Sequence, residues 1–310
     1  MDYKEALANI AEPINVEHTN TSYFSDVQIG LDPRLFRNNK LIPAVRSAVL
    51  SALFGHLNKY YQSSDSWAYV WLAGSGVSRQ WAAERDPADL DCLIGVEYEK
   101  FRASNPNYRG FSNQEIASTL NEGFRVELQP ETTQFLGAYE LTFYVNVNTN
   151  ILNIKPYAAY SLTDDEWTVT PTTTVAEHRK DWDVKVSRDY SMAIEIFKRY
   201  TQALNKIKAA QSAPHRVNAQ SEILLAAAQG AALYDSIHHG RRAAFSESGE
   251  GYLDYANYRW QANKDSGIVA GLKKLKDLSA DAKRIHNEET YGVELPDTDT
   301  LIRRAALKNQ

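Results

Sequence analysis

At 310 residues, 43% of them hydrophobic, the chain can bury a full core as one large domain or two ordinary ones. Its formal charge of -5 argues against a protein wrapped in nucleic acid, and no apolar run approaches the roughly 18 residues needed to span a bilayer. The first thirty residues mix Asp, Lys, Glu and Asn where a signal peptide needs an apolar stretch, and the one cysteine, Cys92, leaves no internal disulfide to form. A soluble, cytoplasmic protein with no membrane partner is the expectation. The charge is uneven: Lys and Arg against Asp and Glu number 16 against 24 over residues 1–186, and 18 against 15 over 187–310. An acidic first half suits a divalent cation, and a mildly basic second half could face a phosphate-bearing substrate.

The first 40 residues, rich in Asn, Thr and Asp, read as loops with one short strand at 27–30. Pro43 suits a first helical turn, and Val45, Val49, Leu53 and Leu57 recur every fourth residue, which predicts an amphipathic helix to about residue 61. Aromatic and β-branched residues predict a strand at 67–73. The turn Gly74-Ser75-Gly76 follows, then a short helix over 77–84, a break at Pro87 and a second strand at 90–96. Ser112-Asn-Gln-Glu115 is a capping box that opens a helix to roughly residue 123. Further strands are expected at 124–128, 139–147 and 167–170, with Pro130, Pro156 and Pro171 in the gaps. From Ser187 strand signals stop. Tyr190, Ile194, Phe197, Leu204 and Ile207 keep helical spacing, and 217–238 is a second long helix. The composition shift divides the chain into domains 1–186 and 187–310, the second all-helical.

The informative stretch runs from Trp71 to Val96 and places Asp89-Leu90-Asp91 inside an apolar run that otherwise reads as a buried strand. Side chains alternate along a strand, so Asp89 and Asp91 share one face while Leu90 and Cys92 point to the other. Two like charges that close disfavour each other unless a cation lies between them, and paired hard oxygens suit magnesium or manganese with substrate phosphates. Read alone, an Asp-x-Asp is more often a solvated strand end. Its neighbours change that reading, because a strand, a Gly-Ser turn where backbone amides can approach phosphate, a helix and then the paired aspartates come in a specific order.

That order resembles the signature of the DNA polymerase beta-like nucleotidyltransferase superfamily, in which Gly-Ser opens a helix and a downstream Asp-hydrophobic-Asp binds two metals. Thirteen residues separate Ser75 from Asp89. The resemblance covers about residues 67–96 by motif and 100–170 by strand order, and it implies an α+β fold: a nucleotidyltransferase-like mixed sheet flanked by helices. It implies a metal-dependent transfer of a nucleoside monophosphate from an NTP, with two Mg2+ or Mn2+ ions at Asp89, Asp91 and a third carboxylate. Glu140, heading the strand at 139–147, is the better candidate for that carboxylate and Glu127 is its rival; the family more often has aspartate there. Gly74, Ser75, Gly76 and Arg79 would hold the nucleotide, with Arg85 a second arginine in reach. The acceptor is open among an RNA end, a protein side chain, a small molecule and a second nucleotide. A nucleotide-binding module of the same fold without catalysis is the alternative.

Two other stretches stand out. His238-His239-Gly-Arg241-Arg242 ends a helix, where positive charge complements the dipole, with a substrate-phosphate contact as the second reading. Tyr252, Tyr255 and Tyr258 have the spacing of one helical face, which favours packing over base stacking.

Overall fold

The structure, a computed structural model, describes residues 11–19, 22–24, 28–81, 88–171, 178–246, 248–292 and 301. The chain divides into two compact units, one of Ser22–Ala176, Phe245–Tyr252 and Pro296–Gln310, the other of Met1–Thr21, Glu177–Ala244 and Leu253–Leu295. The architecture is α+β: a mixed five-stranded sheet with flanking helices, and a C-terminal helical region. Among the described residues, no helix is long and apolar enough to cross a membrane.

The sheet unit opens on a small antiparallel hairpin of β1 (Phe36–Arg37) and β2 (Lys40–Leu41). Its turn residues Asn38 and Asn39 have φ of 52° and 59°, a left-handed pair that asparagine tolerates. No strand forms at 28–30, where the chain bends and Gln28 N–H donates to the Arg79 carbonyl at 2.8 Å; Val27 lies outside the described residues. Helix α1 (Pro43–Tyr60) has proline in its first turn and buries Val45, Val49, Leu53 and Leu57, the stripe its sequence predicts. Helix α2 (Ser64–Trp67) is one turn that leads into β3 (Ala68–Ala73), a central strand buried along almost its whole length.

Strand β4 (Ala88–Val96) is followed by α3 (Tyr98–Ser104) and α4 (Asn113–Gly123). The capping box forms: Ser112 Oγ accepts from Glu115 N at 3.2 Å and Glu115 Oε2 accepts from Ser112 N at 2.8 Å. The segment Phe124–Leu128, predicted as a strand, is instead a π-helical turn that carries α4 on into α5 (Gln129–Thr132). The reason is visible in the burial. Phe124 and Leu128, four residues apart, both enter the core, whereas a strand would also have buried Val126, which is 48% exposed. Strands β5 (Tyr139–Val145), β6 (Ala159–Ser161) and β7 (Glu166–Val169) complete the sheet in the order β5-β4-β3-β6-β7. Strands β4 and β5 pair in parallel, and the other pairings described in this sheet are antiparallel.

One face of the sheet is the main core. Val70, Leu72, Leu90, Cys92, Ile94, Leu141 and Tyr160 pack there with Val49, Leu53, Leu57, Ile116 and Leu120 from the helices. On the other face a smaller cluster of Trp71, Ala73, Ile151, Ile154 and Ala159, joined by Tyr69, Leu93 and Phe245, covers part of the surface.

The helical unit is built from α6 (Lys180–Ala209), α7 (Ala213–Ala244), α8 (Tyr255–Asp265) and α9 (Ile268–Tyr291). Ile196, Phe197 and Tyr200 of α6, Ile223, Ala227 and Ile237 of α7, Trp260 of α8 and Leu272 and Leu275 of α9 form one core. Inside it, the carboxylate of Asp189 accepts from Arg259 Nε and Nη2 at 2.6 and 2.7 Å and from Asn263 Nδ2 at 2.9 Å. Such a pair fixes the pairing of α6 with α8, because removing one partner strands a charge in the interior. Between α8 and α9, Gly267 (φ 81°) is required twice over: its backbone is left-handed, and a Cβ would lie 1.9 Å from the Glu17 carbonyl oxygen.

Helices α7 and α9 approach closely because Gly230 has no side chain; a Cβ there would lie 2.7 Å from Leu275 Cβ. Gly230→Val is expected to lower the unfolding free energy by about 1–3 kcal/mol through overpacking. Urea denaturation checks this, and an unchanged midpoint would show that the two helices do not press together at this point.

Candidate active site

Strand β3 ends at Ala73, which lies opposite Asp91 in the antiparallel register with β4. The next residue, Gly74, has φ 81° and ψ -161°, a conformation open essentially only to glycine. A Cβ at that position would meet Asp91 Oδ2 at 2.7 Å. At Gly76 a Cβ would lie 2.9 Å from the Asp89 carbonyl oxygen. Both glycines are therefore explained by the strand that carries the paired aspartates, which passes against the turn too closely for any side chain.

The helix expected over 77–84 does not begin there. Residues Ser75–Val77 make a single 3-10 turn, and Ser78 is already extended, with φ -112° and ψ -178°. Its hydroxyl donates to the Ser75 carbonyl oxygen at 2.9 Å and accepts from Gln80 N at 3.0 Å, so the serine side chain supplies the partners a helix would have given the backbone. Residues 82–87 lie outside the described residues, Arg85 and Pro87 among them. What the turn offers a ligand is thus the Ser75 hydroxyl, since the Cβ sides of Gly74 and Gly76 are already filled by β4.

Strand β4 supplies the charged face. Leu90, Cys92 and Ile94 fill the core, and Asp89, partly buried, and Asp91, exposed, point to the opposite side, roughly 7 Å apart along the strand. Parallel pairing with β5 sets Glu140 beside Asp89 and Thr142 beside Asp91. Three carboxylates and a hydroxyl therefore occupy one face of two adjacent strands. The Thr142 hydroxyl donates to Asp91 Oδ1 at 3.1 Å, and Gln129 Nε2 of α5 donates to Glu140 Oε1 at 3.4 Å. Farther along the same face Trp71, Leu93 and Tyr69 are covered by Ile151, Ile154 and Phe245, so the sheet surface changes from apolar to acidic toward the Gly74 end. Burial, reinforced by the Asp91 charge, pushes the Cys92 thiol far up, and that cysteine is inert core.

Asp89 and Asp91 are neighbouring hard-oxygen groups, the donor type that magnesium and manganese take. Among the described residues no three His, Cys, Asp or Glu side chains converge as a ready metal-ligating group. Glu140 thus shares the face of the aspartates without closing on them. The two aspartates still fit magnesium or manganese, which are commonly held through one or two carboxylates with substrate phosphates and water completing the shell.

The other residues singled out by sequence are dispersed. Arg79 Nη1 lies 3.5 Å from the Ile29 carbonyl oxygen, which ties its guanidinium to the bend at 28–30. Glu127 belongs to the π-helical turn, and the sheet register does not bring it beside Asp89. Tyr252 belongs to the sheet unit, where it stacks on Tyr157 at 4.3 Å and donates to Gln80 Oε1; Tyr255 and Tyr258 pack on Trp182 in the helical unit. Tyr255 and Tyr258 therefore share one packing partner, and Tyr252 has another.

Several residues of this region were not foreseen. Gln129 was missed because its neighbours were read as a strand. Gln80 is buried and donates to the Tyr23 carbonyl oxygen at 2.9 Å, and no local pattern marks it. Behind Glu140, on the core side of β5, the Tyr139 hydroxyl donates to the buried Asp32 at 2.8 Å, and Arg34 bonds both oxygens of that carboxylate. Burial, with the Asp32 carboxylate beside it, pushes the Tyr139 hydroxyl well above its usual range, so it stays a proton donor that anchors the start of β5. No protein-family model matches the chain, and no curated protein or solved structure matches it either.

Gly74→Ala is expected to cost about 1–3 kcal/mol of stability, through backbone strain and the clash with Asp91. Asp91→Ala in the same background should recover part of that loss, since it removes the clash and leaves the strain. Thermal denaturation of the four members of this cycle checks it. A Gly74→Ala variant as stable as the parent would show that the turn relaxes away from β4.

Proposed function

We propose that this chain is a metal-dependent nucleotidyltransferase that moves a nucleoside monophosphate from an NTP to an acceptor and releases pyrophosphate. The observation that carries the reading is the parallel register of β4 with β5, which aligns Asp89 with Glu140 on the face where Gly74 packs against Asp91. The likeness of Gly74-Ser75-Gly76 and Asp89-Leu90-Asp91 to the DNA polymerase beta-like nucleotidyltransferase motif supports the same chemistry. Bound magnesium or manganese would supply neutralisation of the triphosphate and a more acidic acceptor hydroxyl.

The chain's own residues account for the rest. Asp89 and Asp91 would hold the cation through their carboxylate oxygens, and the Thr142 hydroxyl fixes the orientation of the Asp91 carboxylate. The triphosphate lies along Gly74–Gly76, within reach of the turn's backbone and the Ser75 hydroxyl, while the two glycines let the turn sit against β4 and so beside Asp91. Glu140 takes the proton from the acceptor, whose oxygen bonds to the α-phosphorus as the bond from that phosphorus to the pyrophosphate oxygen breaks. Catalysis of this kind is mostly positioning and charge stabilisation. A second reading, a nucleotide-binding module without turnover, is favoured by the bond from Gln129 that already engages Glu140.

Incubation with each labelled NTP and manganese, with product masses read out, tests the proposal. Asp89→Asn and Asp91→Asn are each expected to lower turnover by about a hundredfold or more, the scale of losing one transition-state-stabilising group. Glu140→Gln should reduce turnover far more than NTP affinity, and Glu127→Gln should change neither. NTP binding without any product would favour the second reading, and full turnover in either aspartate variant would overturn the assignment of the site.

A further inference from the structure

In the helical unit the last turns of α7 gather like charge. His238, His239, Arg241 and Arg242 follow one another there, and Lys276 joins them from α9. The aromatic residues between them are almost wholly buried and hold the cations in place. The Arg241 guanidinium lies 5.3 Å from the Trp260 ring centre, and Lys276 Nζ lies 5.0 Å from that of Tyr234. The half-buried His238 ring stands between those two aromatics, 5.2 Å from Trp260 and 5.5 Å from Tyr234. His239 and Arg242 are exposed. Asp235 meets Lys276 at 2.6 Å, and the nearby Arg259 is taken by Asp189.

The helix dipole accounts for the two arginines, which lie in the final turn of a helix that ends at Ala244. It is worth only about 0.3–1 kcal/mol and fades within one turn, so it does not reach His238 or His239; Lys276 comes from the second helix on its ion pair with Asp235. The crowding has a measurable effect. Burial, then Arg242, Arg241, Lys276 and His239, push the His238 imidazole down to about 4, so the ring is neutral near neutral pH.

We propose that Arg241, Arg242, Lys276 and His239, arrayed around the His238 ring, form a binding site for the phosphate group of a ligand. Arginine forks and a lysine point charge match phosphate oxygens, and the neutral imidazole adds a hydrogen bond without adding repulsion. Tyr234 and Trp260 are buried beneath the cations, so the site reads phosphate rather than a stacked base. A phosphorylated small molecule and a nucleic-acid backbone share this chemistry. The proposal stands independently of the transfer reaction at Asp89 and Asp91.

The test follows the His238 ring by NMR in the full-length protein, its signal assigned by the resonance lost in His238→Gln. Millimolar inorganic phosphate is expected to move that signal saturably and to raise its titration midpoint by about one unit or more, since a bound anion favours the imidazolium. Chloride at matched ionic strength should do neither. Arg242→Gln, at an exposed position and so folded like the parent, should weaken phosphate binding about tenfold, and Arg241→Gln should do so at least as much. Pyrophosphate binding tighter than a short oligothymidylate would assign the ligand as a small molecule, and the reverse order would assign a nucleic-acid backbone. Equal shifts in chloride and phosphate, or phosphate binding unaffected by either arginine substitution, would overturn the proposal.

Discussion

The parallel pairing of β4 with β5 decides where charge lies on the sheet. Because side chains alternate, one register sends Leu90, Cys92, Leu141 and Phe143 into the core and the same register sends Asp89, Asp91, Glu140 and Thr142 to the opposite face. A slip of one residue would exchange the two sets and bury the acids. The register is held from both sides: Tyr139 is bonded to buried Asp32 at the start of β5, and Asn121 Nδ2 and Oδ1 bond the backbone of Val145 at its end. The acidic face is thus a consequence of core packing, and the close approach at Gly74 follows from it.

Much of this was legible where the signal is local. The fourfold spacing from Val45 to Leu57, the capping box at Ser112 and Glu115 and the alternation around Asp89 and Asp91 each depend on a few neighbouring residues, and each appears in the structure where the sequence places it. The shared face of Asp89, Asp91 and Glu140 follows from period two once the strands pair. What failed were segments decided by distant packing. Phe124–Leu128 has strand composition but continues α4, because Phe124 and Leu128 fit the core together at helical spacing. Strand β6 is three residues long and takes its identity from pairing with β3. The helix expected after Gly76 gave way to Ser78, whose hydroxyl captures the Ser75 carbonyl. Gln129, whose side chain bonds Glu140 in the site, was hidden by the misread segment that precedes it.

The two units treat like charge differently. In the sheet unit the aspartates lie at the edge of an apolar surface, beside a turn that two glycines let pack closely on their strand. In the helical unit cations converge over buried aromatic rings that hold their stems in place. Each arrangement brings like charges close together, and the two proposals assign each a ligand of opposite sign: a divalent cation for the first, phosphate for the second.

The central claim, that Asp89 and Asp91 form a cation-dependent nucleotide site, is tested most directly by electron paramagnetic resonance of manganese titrated into the full-length protein with a non-hydrolysable NTP. The account predicts two ions bound per chain in the presence of nucleotide, and loss of that binding when both aspartates are replaced by asparagine. Manganese binding that is absent with nucleotide present, or that survives the double replacement unchanged, would contradict it.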